Sequence, residues 1–367
     1  MRPLKICITP LDWGLGHATR CIVLANALQS MGHTIYMASE GGHAVVLKEA
    51  LPNVNHLLLK GYRIRYTKKR KWLLIGLLLQ IPKIVNAIYL EHRWIQKQQQ
   101  YYAFDVIISD NRFGVYAKGV KNIFITHQLN LQTPWSWTTA LFQKIQYKWL
   151  KHFDECWVPD LANSENNLSG VLAHPKMMPK MPVYYLGTLS RLFHTTRNIV
   201  PKHFSFLVLI SGPEPQRTLF EKMICDEIKS MNATAVVVKG RPQDPFNKID
   251  LHFVGEKSVC LSHVDAATLA SLIDATDIII SRGGYTTLME LIPFKKQLII
   301  VPTPGQTEQK YLARLWQEKK WALFFDQESN FSIHNALQAL SSTSLNQPPF
   351  EDLNLELIKA RLDLVDL

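Results

Sequence analysis

Leu4-Lys5-Ile6-Cys7-Ile8-Thr9, the turn Asp12-Trp13-Gly14-Leu15-Gly16-His17 and the run Ala18 to Met31 follow one another at the head of the chain. The first is a short apolar strand. The second carries two glycines, which let the backbone bend tightly and let a ligand come close. The third has the spacing of an amphipathic helix and closes at Gly32. Thr34 to Ala38 is the next strand. Strand, helix, strand in this order predicts a parallel sheet with helices on both faces. The rhythm recurs at Phe104 to Ser109, Asn122 to Thr126, Glu155 to Val158 and Val183 to Leu186, each ending in a polar or glycine-containing loop.

A second series starts near His203. Phe204 to Ile210 reads as a strand, Ser211-Gly212-Pro213 as a turn and Arg217 to Met231 as a helix. Strands follow at Thr234 to Val238, Leu251 to Val254, Ile278 to Ile280 and Leu298 to Val301. With 367 residues the chain suits two domains. The expected class is α/β, with two Rossmann-like domains facing across a cleft, over residues 1–190 and 200–345. The strand pattern lapses between Gly187 and Pro201, the expected hinge. After Pro348-Pro349, an amphipathic helix within 350–367 is expected to pack back on the first domain.

The balance of 41 basic against 30 acidic residues, a net charge of +11, favours an anionic partner. No nucleic-acid motif accompanies it, so a nucleotide diphosphate or an acidic membrane is expected, and no nucleic acid. Five dispersed cysteines without a Cys-x-x-Cys pair suit a reduced, cytoplasmic protein. The longest apolar run, Trp72 to Ile81 before Pro82, falls well short of the roughly 20 residues needed to span a bilayer. No secretory leader is expected from the first residues.

Three loops carry chemistry. In the first, Gly14 and Gly16 precede His17 at a helix start, at the carboxyl end of the predicted sheet, where open α/β sheets bind ligands. A histidine there has two readings, a general base or a residue that only begins the helix. In the second, the strand to Ile280 runs into Ser281-Arg282-Gly283-Gly284-Tyr285-Thr286-Thr287 and a helix containing Glu290. Free N–H groups beside two glycines suit an anion. Thr286 and Thr287 add hydroxyls, Arg282 adds positive charge, and Glu290 is placed to accept two ribose hydroxyls. In the third, Pro302-Thr303-Pro304-Gly305-Gln306-Thr307-Glu308-Gln309, a carboxylate and an amide side by side suit several sugar hydroxyls. Glu308 also suits a helix start without any ligand. Asp110, His127 and Gln128 end strands of the first series and are candidates for the acceptor side, as is Arg112.

The second and third loops, in this order and spacing, resemble the family 28 glycosyltransferases, which include the MurG-type N-acetylglucosaminyl transferases and the galactolipid synthases. The Gly14-x-Gly16-His17 turn resembles their N-terminal loop. The resemblance implies a GT-B fold, a nucleotide-sugar donor held by the second domain and an acceptor held by the first. It implies inversion at the anomeric carbon with no essential metal or other cofactor, and the chain has no Asp-x-Asp motif suited to a metal. Carried over, Glu290 binds ribose, Glu308 and Gln309 the donor sugar with Gln306 beside them, and Gly283, Gly284 and Thr287 lie at the diphosphate. Ser211 and Gly212 match loosely, because Ser-Gly-Pro stands where the family has a richer glycine turn. Leu261 to Val264 falls where such enzymes hold the base, which makes uridine the expected nucleoside.

The acceptor is expected to be a glycan or a lipid-linked sugar of the cell envelope. Lys60, Arg63, Arg65, Lys68, Lys69, Arg70 and Lys71 precede the apolar residues 72–79, which suits either an anionic membrane surface or a solvated loop before a buried helix. The expected location is cytoplasmic, peripheral on the inner face of the plasma membrane. Two rival activities stand beside transfer. The turn Gly14 to Arg20 is similar to that of the UDP-sugar hydrolase of pseudaminic acid synthesis, and a nucleotide-sugar sensor would need no His17.

Overall fold

A computed structural model describes residues 2–63, 80–133, 136–198, 203–241, 257–327 and 331–365. The chain divides into two compact units. Among the described residues the first takes in 2–63, 80–189 and the chain from Phe350 onward, and the second lies within Ser190–Pro349.

The first unit is built on a seven-stranded sheet in the order β3-β2-β1-β4-β5-β6-β7, every pairing parallel. The strands are β1 Lys5–Pro10, β2 Thr34–Ser39, β3 Asn55–Leu58, β4 Val106–Asp110, β5 Lys121–Ile125, β6 Glu155–Val158 and β7 Val183–Tyr185. Side chains alternate across the sheet. Ile6, Ile8, Ile35, Met37, Val106 and Ile108 pack with Cys21, Leu24, Ala25 and Leu28 of the helix Leu15–Ser30. Cys7, Ala38 and Ile107 pack on the other face with Ile95 of the helix Ile81–Tyr102 and with Phe104. Both faces are covered, which is why β1 reads as a continuous apolar run.

The last helix, Leu355–Asp363, lends Ile358 and Leu362 to the first of these clusters. Asn354 caps it, its side-chain oxygen accepting from the Leu357 N–H at 2.9 Å. Gly187, at φ 79°, lets this return come close: a Cβ there would stand 2.4 Å from the Asp352 carbonyl oxygen. The Arg361 guanidinium pairs with buried Glu155 at 2.7 Å and fixes the helix against β6.

The second unit has a six-stranded sheet in the order β10-β9-β8-β11-β12-β13, again all parallel. Its strands are β8 Phe206–Leu209, β9 Ala235–Val238, β10 Val259–Leu261, β11 Ile278–Ser281, β12 Gln297–Ile300 and β13 Leu323–Phe324. Phe206, Val208, Val237, Ile280 and Ile299 meet Phe220, Ile224 and Ile228 of the helix Gln216–Met231. The strand expected at Leu251 to Val254 lies outside the described residues, as do 64–79 of the basic and apolar stretch. Of that stretch Lys60 and Arg63 are described, and the Arg63 guanidinium is held by Glu40 at 2.6 Å rather than standing as a bare cation. Among the described residues no helix is long and apolar enough to cross a membrane.

In each sheet one pair of neighbours is distant in sequence: β1 beside β4, and β8 beside β11. The chain leaves the first strand of each pair to one side and the second to the other. Their carboxyl-end loops therefore part and open a crevice, the usual ligand position in such sheets.

Candidate active site

At the first crevice, Gly14 adopts φ 138°, a conformation L side chains rarely take, and turns the chain into the helix Leu15–Ser30. His17 falls in the first turn of that helix. Asp110 is the last residue of β4, and His127 lies two residues beyond β5. Adjacent strands thus bring three distant residues together. His17 Nδ1 stands 3.1 Å from each carboxylate oxygen of Asp110. Arg20, one turn along the helix, donates from Nε to Asp110 Oδ2 at 2.8 Å and from Nη2 to Oδ1. Its Nη1 donates to His127 Nδ1, also at 2.8 Å.

The cluster is buried apart from the His17 ring, whose side chain is 15% exposed against 0% for Asp110. Burial alone would raise the Asp110 carboxyl, but the Arg20 guanidinium and the His17 ring outweigh it and hold the group well below the usual carboxylate range. Burial also pulls the His17 ring below its ordinary value; Asp110 opposes this, while Arg20 and His127 reinforce it. Near neutrality the pair is therefore an ionised carboxylate and a neutral imidazole. Cys21 Sγ lies 3.5 Å from Asp110, and burial pushes its thiol up, so it is a protonated neighbour and not a nucleophile.

His17 begins a helix, and its ring is also held by a carboxylate from another strand. Asp110 does not line an acceptor surface directly; it lies behind His17. Gln128 is half-buried beside His127, the two side-chain Nε2 atoms 3.4 Å apart. Arg112 is a structural residue. It is 1% exposed, pairs with Glu91 at 2.7 Å and donates to the Pro10 carbonyl at 2.8 Å. A shallow pocket at the other end of this sheet, lined by Asp105, Lys121, Glu155 and Arg361, is remote from this chemistry, and its charges pair with one another.

At the second crevice, Ser211 and Gly212 follow β8, Arg282 to Gly284 follow β11, and Thr303 to Gln309 follow β12. The loops touch. A Cβ on Gly283 would stand 2.9 Å from the Gln309 carbonyl oxygen, and one on Gly212 would stand 3.1 Å from Thr303 Oγ1. Close packing of backbone is what these glycines supply. Gly284 precedes the helix Tyr285–Leu291, with Thr286 and Thr287 half-buried in its first turn.

The structure corrects the sequence reading of Arg282. Its charge does not face a ligand: the residue is fully buried, its guanidinium donates to the Val301 and Gln216 carbonyls at 3.1 Å and to Gln327 at 2.7 Å, and it covers the Phe220 ring at 3.8 Å. It ties the loops together from behind. Gln309 is also buried, with Oε1 accepting from the Thr303 N–H at 2.9 Å, so its oxygen shapes the loop while its amide nitrogen supplies donors. Glu308 and Gln306 are half-buried at the start of the helix Thr307–Glu318. Val264 is buried just after β10, one residue before Asp265, whose carboxylate caps the next helix at the Thr268 N–H.

Glu290 is 8% exposed and pairs through Oε1 with Arg191 Nε at 2.6 Å. Arg191 and Arg20 are the residues that sequence reasoning missed. Arg20 had a signal: it lies three positions after His17, on the same helical face, among Cys21, Leu24, Ala25 and Leu28, which are all buried. Arg191 had none, since it falls where the strand pattern lapses.

Residues 206–356 match the Glycosyltransferase family 28 C-terminal domain. An "uncharacterized glycosyltransferase" of Methanosarcina mazei is 24% identical over 353 residues, covering 86% of this chain and 84% of its own. One from Methanosarcina acetivorans is 23% identical at the same coverage. Among solved structures, the glycotransferase of kitacinnamycin superposes with a TM-score of 0.64 at 14% identity, over 94% of this chain and 92% of its own. MurG of Acinetobacter baumannii superposes with a TM-score of 0.52 at 11% identity, over 93% and 90%. At such identities the superpositions carry the fold, and that fold is GT-B.

Proposed function

We propose, from the premise that the chain is a glycosyltransferase with a family 28 C-terminal domain on a GT-B fold, that it moves a sugar from a uridine diphosphate donor to an acceptor hydroxyl with inversion. The second unit holds the donor and the first unit holds the acceptor. The observation that carries the reading is the His17–Asp110 pair at 3.1 Å, an imidazole kept neutral by burial and oriented by a buried carboxylate at a sheet switch point.

In this reading His17 Nε2 takes the proton of the acceptor hydroxyl as its oxygen attacks the anomeric carbon. The bond to the diphosphate oxygen breaks as the new glycosidic bond forms, and attack from the opposite face inverts the centre. The electron pair leaves on the diphosphate. N–H groups at Gly283 and Gly284, with the hydroxyls of Thr286 and Thr287, are the groups assigned to that developing charge, as donors already in place before the reaction. Ser211 and Gly212 border the same phosphates. Glu290, steadied by Arg191, accepts from the ribose hydroxyls. Glu308, Gln306 and the Gln309 amide nitrogen bind the donor sugar, and the backbone at Val264 binds the base. No metal takes part.

The acceptor is a lipid-linked or cell-envelope glycan, met with the protein bound peripherally at the inner face of the plasma membrane. The excess of 11 positive charges and the basic run before residue 72 support that location. The test is a panel of nucleotide diphosphate sugars incubated with the protein and a lipid extract, with products read by mass spectrometry and NMR. A new glycoside of inverted anomeric configuration is expected from a UDP-sugar. A product that retains the donor configuration, or turnover only with a non-uridine donor, overturns the corresponding part of the reading.

A further inference from the structure

We propose that Arg20 is a positioning residue, whose single guanidinium binds Asp110 and His127 together and so fixes His17 and His127 in opposite tautomers. For its meaning in catalysis this rests on the role given above to His17; for its truth it does not, since the tautomers exist without substrate.

Arg20 is 3% exposed, and a guanidinium only donates hydrogen bonds. His127 Nδ1, 2.8 Å from Nη1, is therefore an acceptor, and the neutral His127 ring carries its proton on Nε2. Gln128 Nε2 is placed 3.4 Å from that atom, so this proton position requires the amide to be turned with its oxygen accepting instead.

His17 presents a competition, because its Nδ1 lies 3.1 Å from both Asp110 oxygens and 2.8 Å from Arg20 Nη2. The carboxylate decides it and not Arg20, whose Nη2 carries two hydrogens and gives one of them to Asp110 Oδ1. A bare Nδ1 would set its lone pair against two carboxylate oxygens in a buried site, which is costly. The proton therefore sits on Nδ1, donated to Asp110, and Nε2 is bare. The crevice end of the first unit thus carries one bare ring nitrogen and one ring N–H, an acceptor and a donor set by the same cation.

Arg20 also balances charge. With both rings neutral, Arg20 and Asp110 sum to zero. The groups that face His17 are Asp110 from the end of β4, Arg20 from its own helix and His127 from beyond β5. Without Arg20 the Asp110 charge would act on His17 alone and hold a proton there, which would silence the base near neutrality.

The experiment is two-bond ¹⁵N–¹H correlation on the full-length protein labelled at its 13 histidines, across a pH titration. His17→Ala and His127→Ala assign the two rings by loss of signal. The wild type is expected to show His17 as the Nδ1–H form and His127 as the Nε2–H form. In Arg20→Met the His17 midpoint should rise by about 1–3 pH units, the range for loss of a nearby charge, and His127 should lose its single tautomer. Arg20→Lys keeps the charge without the planar fork, so it should restore the His17 midpoint but not the His127 tautomer. A wild-type His17 carrying its proton on Nε2 overturns the proposal whether or not the variants fold. An unmoved His17 midpoint in folded Arg20→Met does so as well. If His17→Ala keeps full turnover, the base role fails while the Arg20 assignment stands on the spectra.

Discussion

His17 Nδ1 lies 3.1 Å from both oxygens of Asp110, a residue 93 positions further along the chain. The contact exists because β1 and β4 pair in register, Pro10 opposite Asp110, while β2 and β3 are laid down on the other side of β1. A carboxylate that cannot leave its strand end thus holds the one partly exposed ring of the site.

His17→Ala should lower kcat by about 10²–10⁴-fold, the usual contribution of a positioned base. Binding of UDP by the second unit should be little changed. Steady-state rates and calorimetric titration separate the two quantities. Turnover near the wild-type level would remove His17 from the chemistry.

Local signals make the inner strands of both sheets and the loops at their carboxyl ends legible in the amino-acid order, through the short apolar runs and the turns at Gly14 and Gly284, while the short edge strands β3, β10 and β13 are absent from the sequence reading. Which loops meet is not local. Nothing near Asp110 in sequence says that it ends beside His17, because strand order is a property of the whole sheet. Arg282 misled for a related reason: an arginine beside two glycines looks like an anion ligand until the fold buries it over Phe220. The pairing of Glu290 with Arg191 had no sequence period to announce it.

The pH dependence has a definite sign. In the role proposed for it His17 must be neutral, and its proton affinity is lowered by burial, so activity should hold steady at pH 7 and fall only below about 6.5, the ordinary imidazole value. Asp110 is the one neighbour that raises His17. Asp110→Asn should therefore move the acid limb to still lower pH, while the plateau drops because the ring loses its orienting partner. An acid limb that moves upward in Asp110→Asn would contradict the assigned electrostatics. A kcat–pH profile for both proteins decides it.

Glu290→Gln should weaken UDP binding. Hydrogen bonds to a charged group contribute about 1.5–3 kcal/mol, which corresponds to roughly 10–150-fold in Kd. A UDP analogue lacking both ribose hydroxyls should bind wild type and variant alike. Equal losses for UDP and for the analogue would mean that Glu290 acts only through its ion pair with Arg191.

Glu91 and Arg112 form a buried pair, 2% and 1% exposed, that joins the helix Ile81–Tyr102 to the chain after β4. Removing one partner leaves the other charge buried. Arg112→Met should cost about 3–5 kcal/mol of stability in a denaturant titration of the first unit's transition. UDP affinity should stay as in wild type. A loss of nucleotide binding with unchanged stability would make Arg112 a ligand contact instead.

Replacing Lys68, Lys69, Arg70 and Lys71 with glutamine should abolish salt-sensitive sedimentation with anionic vesicles. Each basic residue near such a surface is worth about 1 kcal/mol, and salt screens the attraction. Wild-type protein that stays in the supernatant at low salt would rule out the membrane surface as a partner.

The most direct test of glycosyl transfer is UDP release from a UDP-sugar, followed with and without a glycan or lipid-linked acceptor, in wild type and His17→Ala. Release should depend on acceptor, match glycoside formation mole for mole, and fall by about 10²–10⁴-fold in His17→Ala. Equally fast release in water alone would make the protein a hydrolase, and tight UDP-sugar binding with no release under any condition would make it a sensor; either result contradicts glycosyl transfer.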